Sequence, residues 1–420
     1  MSTPELLQQA ADQPNNAESI YKQVLNVQST PQNDQTLKDQ QTALVELGRI
    51  YRDSKNADGL AEIVTLSRSY ISATAKAKTA NLIRTLLDYF ASVPDSQSTQ
   101  IAVLRNNITW ANTEKRLFLA HSLETRLVSL LISTQQYKPA IALIDTLLSS
   151  LKRLDDKLIL TEVHLLESKV YRAIGNLAKS KAALTSARTA ANAIYCPPPM
   201  QAGLDLQSGI LHAEEKDYGT AYSYFFETFE NLETQVGETD KSEAINALKY
   251  MMLCKIMLNA PEDVTSLLTT KLALPYTGHR SIASMRAVAR AHKNRSLTEF
   301  EEALRDYQTE LSSDPTTRTH LAALYDTLLE QNLLRIVEPY SVVDLEWVAR
   351  GVGQGRQGVE VKLSQMILDK VLYGVLDQGR GCLLVFEKPE QDETYSAAID
   401  TLDQVGKVVE SLYAKSVKIA

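Results

Sequence analysis

The stretch TQQYKPAIALIDTLL, residues 134–148, recurs in pattern at two later points of the chain. The related stretches are AIGNLAKSKAALTSA and EEKDYGTAYSYFFET. Each has a polar turn, then an aromatic or leucine anchor, then a helical pattern with a small residue near its start. The anchors are Tyr137, Leu177 and Tyr218, so the spacing is 40 and then 41 residues. Self-similarity at a period of this length indicates a repeat architecture.

The segments that flank each turn have the apolar periodicity of amphipathic helices. Each unit is therefore predicted to be a helix, a short turn and an antiparallel helix. One such hairpin cannot bury its apolar face alone, so neighbouring hairpins stack into a solenoid. Small residues at the turns, Ala140, Ser180 and Ala221, allow the paired helices to approach closely. Because the period exceeds the ~34 residues of tetratricopeptide repeats and their W-x2-L-G-x2-Y signature is absent, we predict tetratricopeptide-like hairpins.

This all-α solenoid is expected to occupy residues 41–315. Residues 1–40 are rich in Gln and Asn, and we expect a frayed segment there with one helical patch at AESIYKQVL. The triple proline at 197–199 is predicted to end one helix and form an inter-repeat loop, because proline lacks the amide donor. The run YMMLCKIML is predicted to fill the core, with a methionine-lined peptide groove as the weaker alternative.

Residues 316–389 are predicted to form a winged-helix module, followed by a C-terminal helix at 390–420. Three helices are expected at THLAALYDTLLEQNLLRIVEPY, SVVDLEWVARGV and VEVKLSQMILDKVLYG. The second has a possible capping box that runs from Ser341 to Asp344. The stretches VLDQG and CLLVFE then read as two strands around the turn QGRG. Helices followed by a small β-hairpin are typical of a winged helix.

A winged helix that reads DNA needs basic residues on the helix that enters the major groove. Here the third predicted helix has Lys362 and Lys370, which are offset by Glu360 and Asp369. The whole chain has a formal net charge of −7. Release of counterions from phosphates, the main source of DNA affinity, would therefore be small. We expect no nucleic-acid binding and keep a nucleic-acid-binding winged helix as a remote alternative.

Composition indicates a soluble intracellular protein. Hydrophobic residues make up 44% of the chain, which is ordinary for a folded domain. Cys196, Cys254 and Cys382 lie far apart, and an odd number of cysteines fits a reducing compartment better than a disulfide framework. The start of the sequence lacks the basic and apolar regions of a signal peptide. No apolar run approaches the ~20 residues of a membrane span, so no membrane partner is expected.

No sequence signal predicts an enzyme, a cofactor or a metal site. The stretch GQGRQG, residues 353–358, matches the dinucleotide pattern G-x-G-x-x-G, but too little chain remains to build the other strands of that fold. A flexible glycine-rich loop at 351–358 is predicted instead. The six histidines have none of the H-x-H, H-x3-H or H-E-x-x-H spacings of zinc sites. Nucleophile-elbow and Walker motifs are absent as well.

The stretch VEVKLSQMILDKVLYGVLDQGRGCLLVFE, residues 359–387, resembles the PCI domain of proteasome lid subunits. Two others, NNITWANTEKRLFLAHSLETRL and IYCPPPMQAGLDLQSGILHAEEKDYGTAYSYFFETFENL, resemble the family of regulatory-particle non-ATPase subunit 11, the Rpn-six type of yeast nomenclature. The likeness covers nearly the whole chain and is weakest over the first 40 residues. One departure is GVGQGRQG, which is glycine-rich where the family has a short polar and aliphatic link.

The resemblance implies a non-catalytic scaffold and assembly subunit of the proteasome regulatory-particle lid, in the cytoplasm and nucleus. Such a subunit supports ATP-dependent degradation of ubiquitinated proteins through protein contacts. The implied partners are other PCI lid subunits, the proteasomal ATPases and the core particle. A related family, subunit 2 of the COP9 signalosome, gives the alternative of a signalosome scaffold. The triple-proline segment and KLSQMILDK favour the lid over the signalosome.

Two surfaces are predicted to bind other proteins. In the family, the hairpin VLDQGRGCLLVFE implies a strand edge that joins modules, since an exposed edge has unpaired backbone groups. The last helix has a heptad seam with spacings that alternate between 3 and 4. The residues alone leave open whether this helix folds back on its own winged helix or joins helices of other subunits. The candidate interface residues are Leu383, Leu384, Val385, Phe386, Tyr395, Ala398, Leu402, Val405, Val409, Leu412 and Ile419.

Overall fold

The computed structural model describes residues 17–26, 34–71, 76–90, 92–94, 96–233, 241–312, 314–387 and 393–416. The chain forms two compact units, residues 1–251 and 252–420. Within the described ranges, no helix combines the length and the apolar content that a membrane span requires.

The first unit is a series of α-helices, with short turns between consecutive helices from residue 97 to residue 233, as the repeat predicts. Its helices are α1 Ala17–Asn26, α2 Asp34–Asp53, α3 Ala57–Ile71, α4 Lys76–Phe90, α5 Gln97–Thr113, α6 Leu117–Ser133, α7 Tyr137–Leu154, α8 Lys157–Ile174, α9 Leu177–Asn192, α10 Pro198–Glu214 and α11 Tyr218–Glu233. Helix α12, Lys241–Met257, begins in this unit and ends in the second. The predicted fold class, an all-α repeat region followed by a module with a small β-sheet, is confirmed.

The turns of the repeat share one backbone geometry. A single residue with positive φ follows each helix from α5 to α8, and these residues lie 20 positions apart at Lys115, Gln135, Asp155 and Gly175. At three of these turns a backbone N–H reaches back across the last helical turn, for example from Asn176 to the carbonyl of Tyr171 at 2.9 Å. This Schellman bond satisfies a carbonyl that the helix end leaves without a partner. Two such half-repeats make the 40-residue hairpin.

The predicted anchors and small residues occupy equivalent positions in the structure. Tyr137, Leu177 and Tyr218 are the first residues of α7, α9 and α11. The small residue three positions later, Ala140, Ser180 or Ala221, is fully buried in each case. At Ser180 the hydroxyl donates to the carbonyl of Ser168 on α8 at 2.8 Å. The close approach expected from small side chains is therefore confirmed, and at one hairpin a side-chain hydrogen bond supports it.

One detail of the first unit agrees with the prediction and one differs. The helical patch expected at AESIYKQVL is α1, which buries Tyr21, Val24 and Leu25 in the core of this unit. The triple proline does not lie wholly in a loop, because Pro198 is the first residue of α10. Proline suits the first turn of a helix, where its missing N–H has no intrahelical partner. Helix α9 ends earlier, at Asn192, so the prolines lie at the start of α10 and not at the point where α9 stops.

The methionine-rich run lies on α12. Met251, Met252 and Cys254 are buried. Burial of these side chains supports the prediction that they fill the core and removes them from the surface that a methionine-lined groove would need.

The second unit continues with helices and ends in the winged-helix module. Its elements after α12 are α13 Pro261–Leu268, a 3-10 turn at Leu274–Tyr276, α14 Arg280–Asn294, α15 Leu297–Asp306, α16 Gln308–Ser312, α17 Pro315–Val337, β1 Val342–Asp344, α18 Leu345–Val352, α19 Arg356–Leu368, β2 Gly374–Asp377, β3 Cys382–Val385 and α20 Glu393–Ser416. Asp314 begins α17 by accepting hydrogen bonds from the backbone of Thr316 and the hydroxyl of Thr317.

The prediction missed one strand and misplaced one cap. Val342–Asp344 was expected to begin a helix, but it forms β1, in which Val343 is buried and its neighbours are exposed. The helix begins only at Leu345, where the side chain of Asp344 accepts a hydrogen bond from the Glu346 N–H at 3.1 Å. The expected capping box from Ser341 is therefore wrong. Pairing with β3 supplies the partners that make this short segment a strand.

The glycine-rich segment 351–358 is not a flexible loop. Helix α18 runs through Val352, and Gly353 ends it with φ +75°, a conformation that glycine adopts without strain. Gly355 precedes α19, which begins at Arg356. Three residues therefore connect two helices, and no strand precedes the glycines as a dinucleotide site would require.

Candidate functional site: two protein-interaction surfaces

The first predicted surface lies at the three-stranded sheet, whose strand order is β1-β3-β2. Strand β3 is antiparallel to both neighbours, with Leu383 opposite Val343 on β1 and opposite Leu376 on β2. The edge of the predicted hairpin is therefore β2, and the other edge of the sheet is β1, which the sequence did not reveal. The β3 residues named as interface candidates lie in the middle of the sheet.

The four candidates at the end of β3 differ in exposure. Leu383 is fully buried, so its side chain belongs to the core of the module and cannot contact a partner. Leu384 and Val385 are half-buried, whereas Phe386 is 55% exposed. Of these four, Phe386 is the side chain best placed to meet another protein.

The hydrogen-bond pattern shows which backbone groups point away from the sheet. Phe386 donates its N–H to the carbonyl of Tyr373 at 2.8 Å, and hydrogen-bonded pairs alternate along an antiparallel ladder. The backbone groups of Leu376 therefore point outward from β2. By the same alternation, the bond from the Val385 N–H to the Ser341 carbonyl places those of Val342 outward from β1. Each edge thus offers backbone groups to an incoming strand.

Exposed apolar side chains accompany both edges. Val375 lies on β2, Val371 precedes that strand and Phe386 follows β3, and about half of each of these side chains is exposed. Beside β1, the exposed rings of Tyr340 and Trp347 contact each other edge to face at 5.5 Å. The sequence signal on the β1 side was the alternation of apolar residues through Val343, Leu345, Trp347 and Ala349, which fits a strand as well as a helix.

Several basic residues of the winged helix are paired with carboxylates. Lys362 on α19 is largely buried and pairs with Glu330 at 2.8 Å. A helix that reads DNA would need this lysine at the surface. Arg356 lies 3.7 Å from Glu346, and Arg380 in the β2–β3 turn lies 3.8 Å from Asp377. A surface built this way has little excess positive charge to attract phosphates.

The second predicted surface is α20. Every side chain from Ala397 to Tyr413 is exposed, including the seam residues Ala398, Leu402, Val405, Val409 and Leu412. The side chain of Tyr395 and all of Ile419 lie outside the described residues. Leu402 is 71% exposed and Leu412 is 61% exposed, values typical of polar surface residues. The helix does not bury its apolar face against its own winged helix.

The apolar face of α20 is wider than the predicted seam. Ile399, Val408 and Tyr413 are also exposed and lie beside the seam residues. At about 100° per residue, the apolar positions from Ile399 to Tyr413 cover about half of the circumference. A strict two-helix seam covers less than this, so the face is suited to contact with more than one helix.

Groups with chemical reactivity are not gathered into a catalytic or metal site. Among the described residues, no group of three or more His, Cys, Asp or Glu side chains is placed to hold a metal ion. Burial raises the pKa of the Cys254 thiol to about 12, so this cysteine stays protonated at neutral pH. His164 bonds Glu167 at 2.9 Å, and the ring of His212 stacks on Tyr224. Both rings therefore have structural partners within the chain.

Buried histidines make stability depend on pH. His121, His292 and His320 are buried, and burial lowers the pKa of each below its ordinary value. The folded protein therefore keeps them neutral, while the unfolded chain takes up protons as the pH falls through about 6.5. We therefore expect the free energy of unfolding to fall between pH 7.5 and pH 5.5, by up to about 1 kcal/mol per histidine and pH unit. The urea concentration at the unfolding midpoint should fall with it.

The variant His292→Leu isolates one of these contributions, because neither ring nitrogen of His292 has a hydrogen-bond partner among the described residues. It should flatten the pH dependence of the urea midpoint. The matched control is His279→Asn at the exposed start of the same helix, where the new side chain can still accept from the Ser281 N–H. An equal slope in wild type and His292→Leu would contradict the prediction.

Three segments of the chain match known protein families. Residues 5–134 match the 26S proteasome regulatory subunit RPN6 N-terminal domain. Residues 304–387 match the PCI domain, and residues 391–416 match the 26S proteasome subunit RPN6 C-terminal helix domain. The last two matches contain the sheet edges and α20.

Similar proteins match this chain over almost its full length. The probable 26S proteasome regulatory subunit rpn6 of Schizosaccharomyces pombe is 51% identical over 393 residues, 94% of this chain and 92% of that protein. The 26S proteasome regulatory subunit RPN6 of Saccharomyces cerevisiae is 47% identical over 410 residues, with 96% and 94% covered. The 26S proteasome non-ATPase regulatory subunit 11 homolog of Arabidopsis thaliana is also 47% identical, over 401 residues. The chain belongs to the Rpn6 family of 26S proteasome regulatory subunits.

Proposed function

We propose that the protein is a non-catalytic scaffold and assembly subunit of the lid of the proteasome regulatory particle. The observation that carries this proposal is α20, a helix of 24 residues, about 36 Å long, with an exposed apolar face. A helix this apolar on one side is stable in water only when that side is covered. The relatives are all named as regulatory subunits of the 26S proteasome, which supports the proposal that other subunits of that assembly cover this face.

The proposed partners are the other PCI lid subunits on the one hand, and the proteasomal ATPases and the core particle on the other. Helices of other PCI lid subunits cover α20 in a shared bundle, because its apolar face is wide enough for more than one neighbour. Their winged helices extend the sheet at β2. The helical repeats contact the proteasomal ATPases and the core particle. The protein acts in the cytoplasm and nucleus, supports degradation of ubiquitinated proteins and catalyses no reaction itself.

A matched pair of proline variants tests the contact at β2. Leu376→Pro removes an outward-pointing N–H from β2, whereas Val342→Pro does the same at β1. In reconstitution of the lid from purified subunits, we expect Leu376→Pro to lower incorporation several-fold and Val342→Pro to leave it unchanged. Circular dichroism of each isolated variant checks that the helical signal is retained. Loss of incorporation with Val342→Pro alone would assign the contact to β1, and no loss with either would exclude strand addition.

A signalosome scaffold is the alternative that the sequence left open. Purification of the tagged protein with its partners separates the two, because proteasomal ATPases support the lid and a cullin-directed deneddylase supports the signalosome. The names of the relatives favour the lid.

The winged-helix module should not bind DNA. Since Lys362 pairs with Glu330 and the module has no excess of basic residues, we expect a Kd for a duplex of about 10⁻⁴ M or weaker at physiological salt. Fluorescence anisotropy with a labelled 20-bp duplex measures this on the full chain. Tight binding that weakens steeply with salt would overturn the scaffold role of this module.

A further inference from the structure

The second unit contains a basic stretch inside an acidic protein. Between residues 264 and 298 there is no Asp or Glu. Because the whole chain has a net charge of −7 and this stretch contributes +6, the remaining residues carry −13. The basic residues are Lys271, Arg280, Arg286, Arg290, Lys293 and Arg295.

Helix α14 places three of these residues on one exposed face. It buries Ile282, Met285 and Val288 in the unit, while Arg286 and Arg290 are exposed. Arg286, Arg290 and Lys293 follow one another at intervals of four and three, so they form a row about 10 Å long on the solvent side. Arginines spaced in this way match carboxylates one turn apart on a facing helix.

Only part of this charge is neutralised within the chain. Arg280 pairs with Glu310 at 2.9 Å, and Lys293 pairs with Glu262 at 3.1 Å. Across the residues that the structure describes, Arg286 and Arg290 form no ion pair. Two guanidinium groups on one helix face are therefore free to bind carboxylates, with which arginine forms two parallel hydrogen bonds.

The same face is shaped for close contact with another chain. Ala283 and Ala287 lie beside the arginines and are half-buried, so small side chains alternate with the charged ones. Leu272 and Leu274, which precede α14 in the chain, are exposed. A partner that satisfies these groups has both carboxylates and apolar side chains.

We propose that this α14 arginine face, formed by Ala283, Arg286, Ala287, Arg290 and Lys293, binds an acidic amphipathic helix of another protein. Carboxylates of that helix pair with Arg286 and Arg290, and its small or apolar side chains cover the alanines. The charge of −13 on the rest of the chain opposes a longer polyanion such as a nucleic acid. The proposal concerns a different surface from the sheet edges and α20, and it does not depend on assembly of the lid.

The experiment uses the full chain and a labelled peptide of 18 residues, built as a helix with Glu pairs at i and i+4 and Leu on the adjoining face. Fluorescence anisotropy measures its binding to wild type, to R286E/R290E and to K152E/R153E. The last variant reverses two exposed charges on α7 and changes the net charge equally, so it controls for long-range electrostatics. Wild type should bind the peptide, and R286E/R290E should weaken binding by about tenfold or more. K152E/R153E should change binding less than twofold.

Further variants and probes keep the outcome decisive. R286K/R290K keeps both positive charges but removes the planar guanidinium groups. Weaker peptide binding by this variant would support contacts in which each arginine makes two parallel hydrogen bonds to a carboxylate. R286Q/R290Q replaces the double Glu variant if that variant loses its helical signal. No binding by wild type at 1 mM peptide, on the order of the weakest specific contacts, overturns the proposal. So does equal weakening by K152E/R153E, equal binding of the peptide with every Glu changed to Lys, or tighter arginine-dependent binding of a 20-bp DNA duplex.

Discussion

Removal of residues 393–420 should abolish entry into the lid while leaving the melting temperature of the isolated protein nearly unchanged. The described side chains of α20 from Ala397 to Tyr413 are all exposed, so the helix contributes little buried area to its own chain. In the shared bundle that we propose, the same apolar side chains become buried, at roughly 1.5–3 kcal/mol for each large one. Loss of several such side chains should lower incorporation by more than tenfold, as measured by reconstitution with the other lid subunits.

Point variants in the full chain separate the apolar face from the helix as a whole. Leu402→Asp combined with Val409→Asp places charge on the apolar face and should block incorporation almost as fully as the truncation. Asp403→Ser combined with Glu410→Ser changes the polar face of the same helix and serves as the control. A fall of many degrees in the melting temperature on truncation would show that α20 belongs to its own core, and the bundle proposal would then fail.

Replacement of Arg188 by leucine should destabilise the first unit by about 3–5 kcal/mol, because it leaves a buried carboxylate without its cation. Arg188 on α9 donates to Asp205 on α10 at 2.9 Å, and only 3% of the Asp205 side chain is exposed. The guanidinium also donates to the hydroxyl of Tyr224 on α11 at 3.0 Å and lies over its ring. One side chain therefore connects three successive helices. Urea unfolding followed by circular dichroism measures the loss.

Two comparisons test that the buried charge is the cause. The double variant Arg188→Leu with Asp205→Leu removes both charges and should recover much of the lost stability. Burial raises the pKa of Asp205, so its charged form is the one disfavoured in the folded state, and protonation at lower pH relieves the cost. The loss in Arg188→Leu should therefore shrink from pH 8 to pH 5. A loss that does not change with pH would assign the effect to packing of the guanidinium on Tyr224.

The helical part of the fold could be predicted because its signals are local. The apolar period and the turn residues lie within one hairpin, and the structure places Tyr137, Leu177 and Tyr218 at the first position of their helices. The failures occurred where the same residue types suit two structures. Pro198 begins a helix where a loop was expected, and Gly353 ends a helix where a loop was expected.

The interaction surfaces were predicted in kind but not in detail. Charge balance along the sequence already disfavoured DNA, and the heptad spacing on the last helix already indicated an interface. The sequence did not show that Leu383 is buried, that Val375 and Trp347 are exposed beside the sheet edges, or that the arginines of α14 share one face. The exposure of a side chain depends on every element that packs around it, and those elements cannot be identified from one segment of the sequence.

By itself, the sequence determined the helical hairpins, the order of the C-terminal module and the apolar seam of the last helix. Each of these depends on residues within about ten positions of one another, where periodicity and turn chemistry act directly. The tertiary structure alone decided that Val342–Asp344 is a strand, that β3 is central and that β2 is the edge. These follow from pairing between residues about forty positions apart, such as Val342 with Leu384, because backbone hydrogen bonds of a sheet have their partners on another strand.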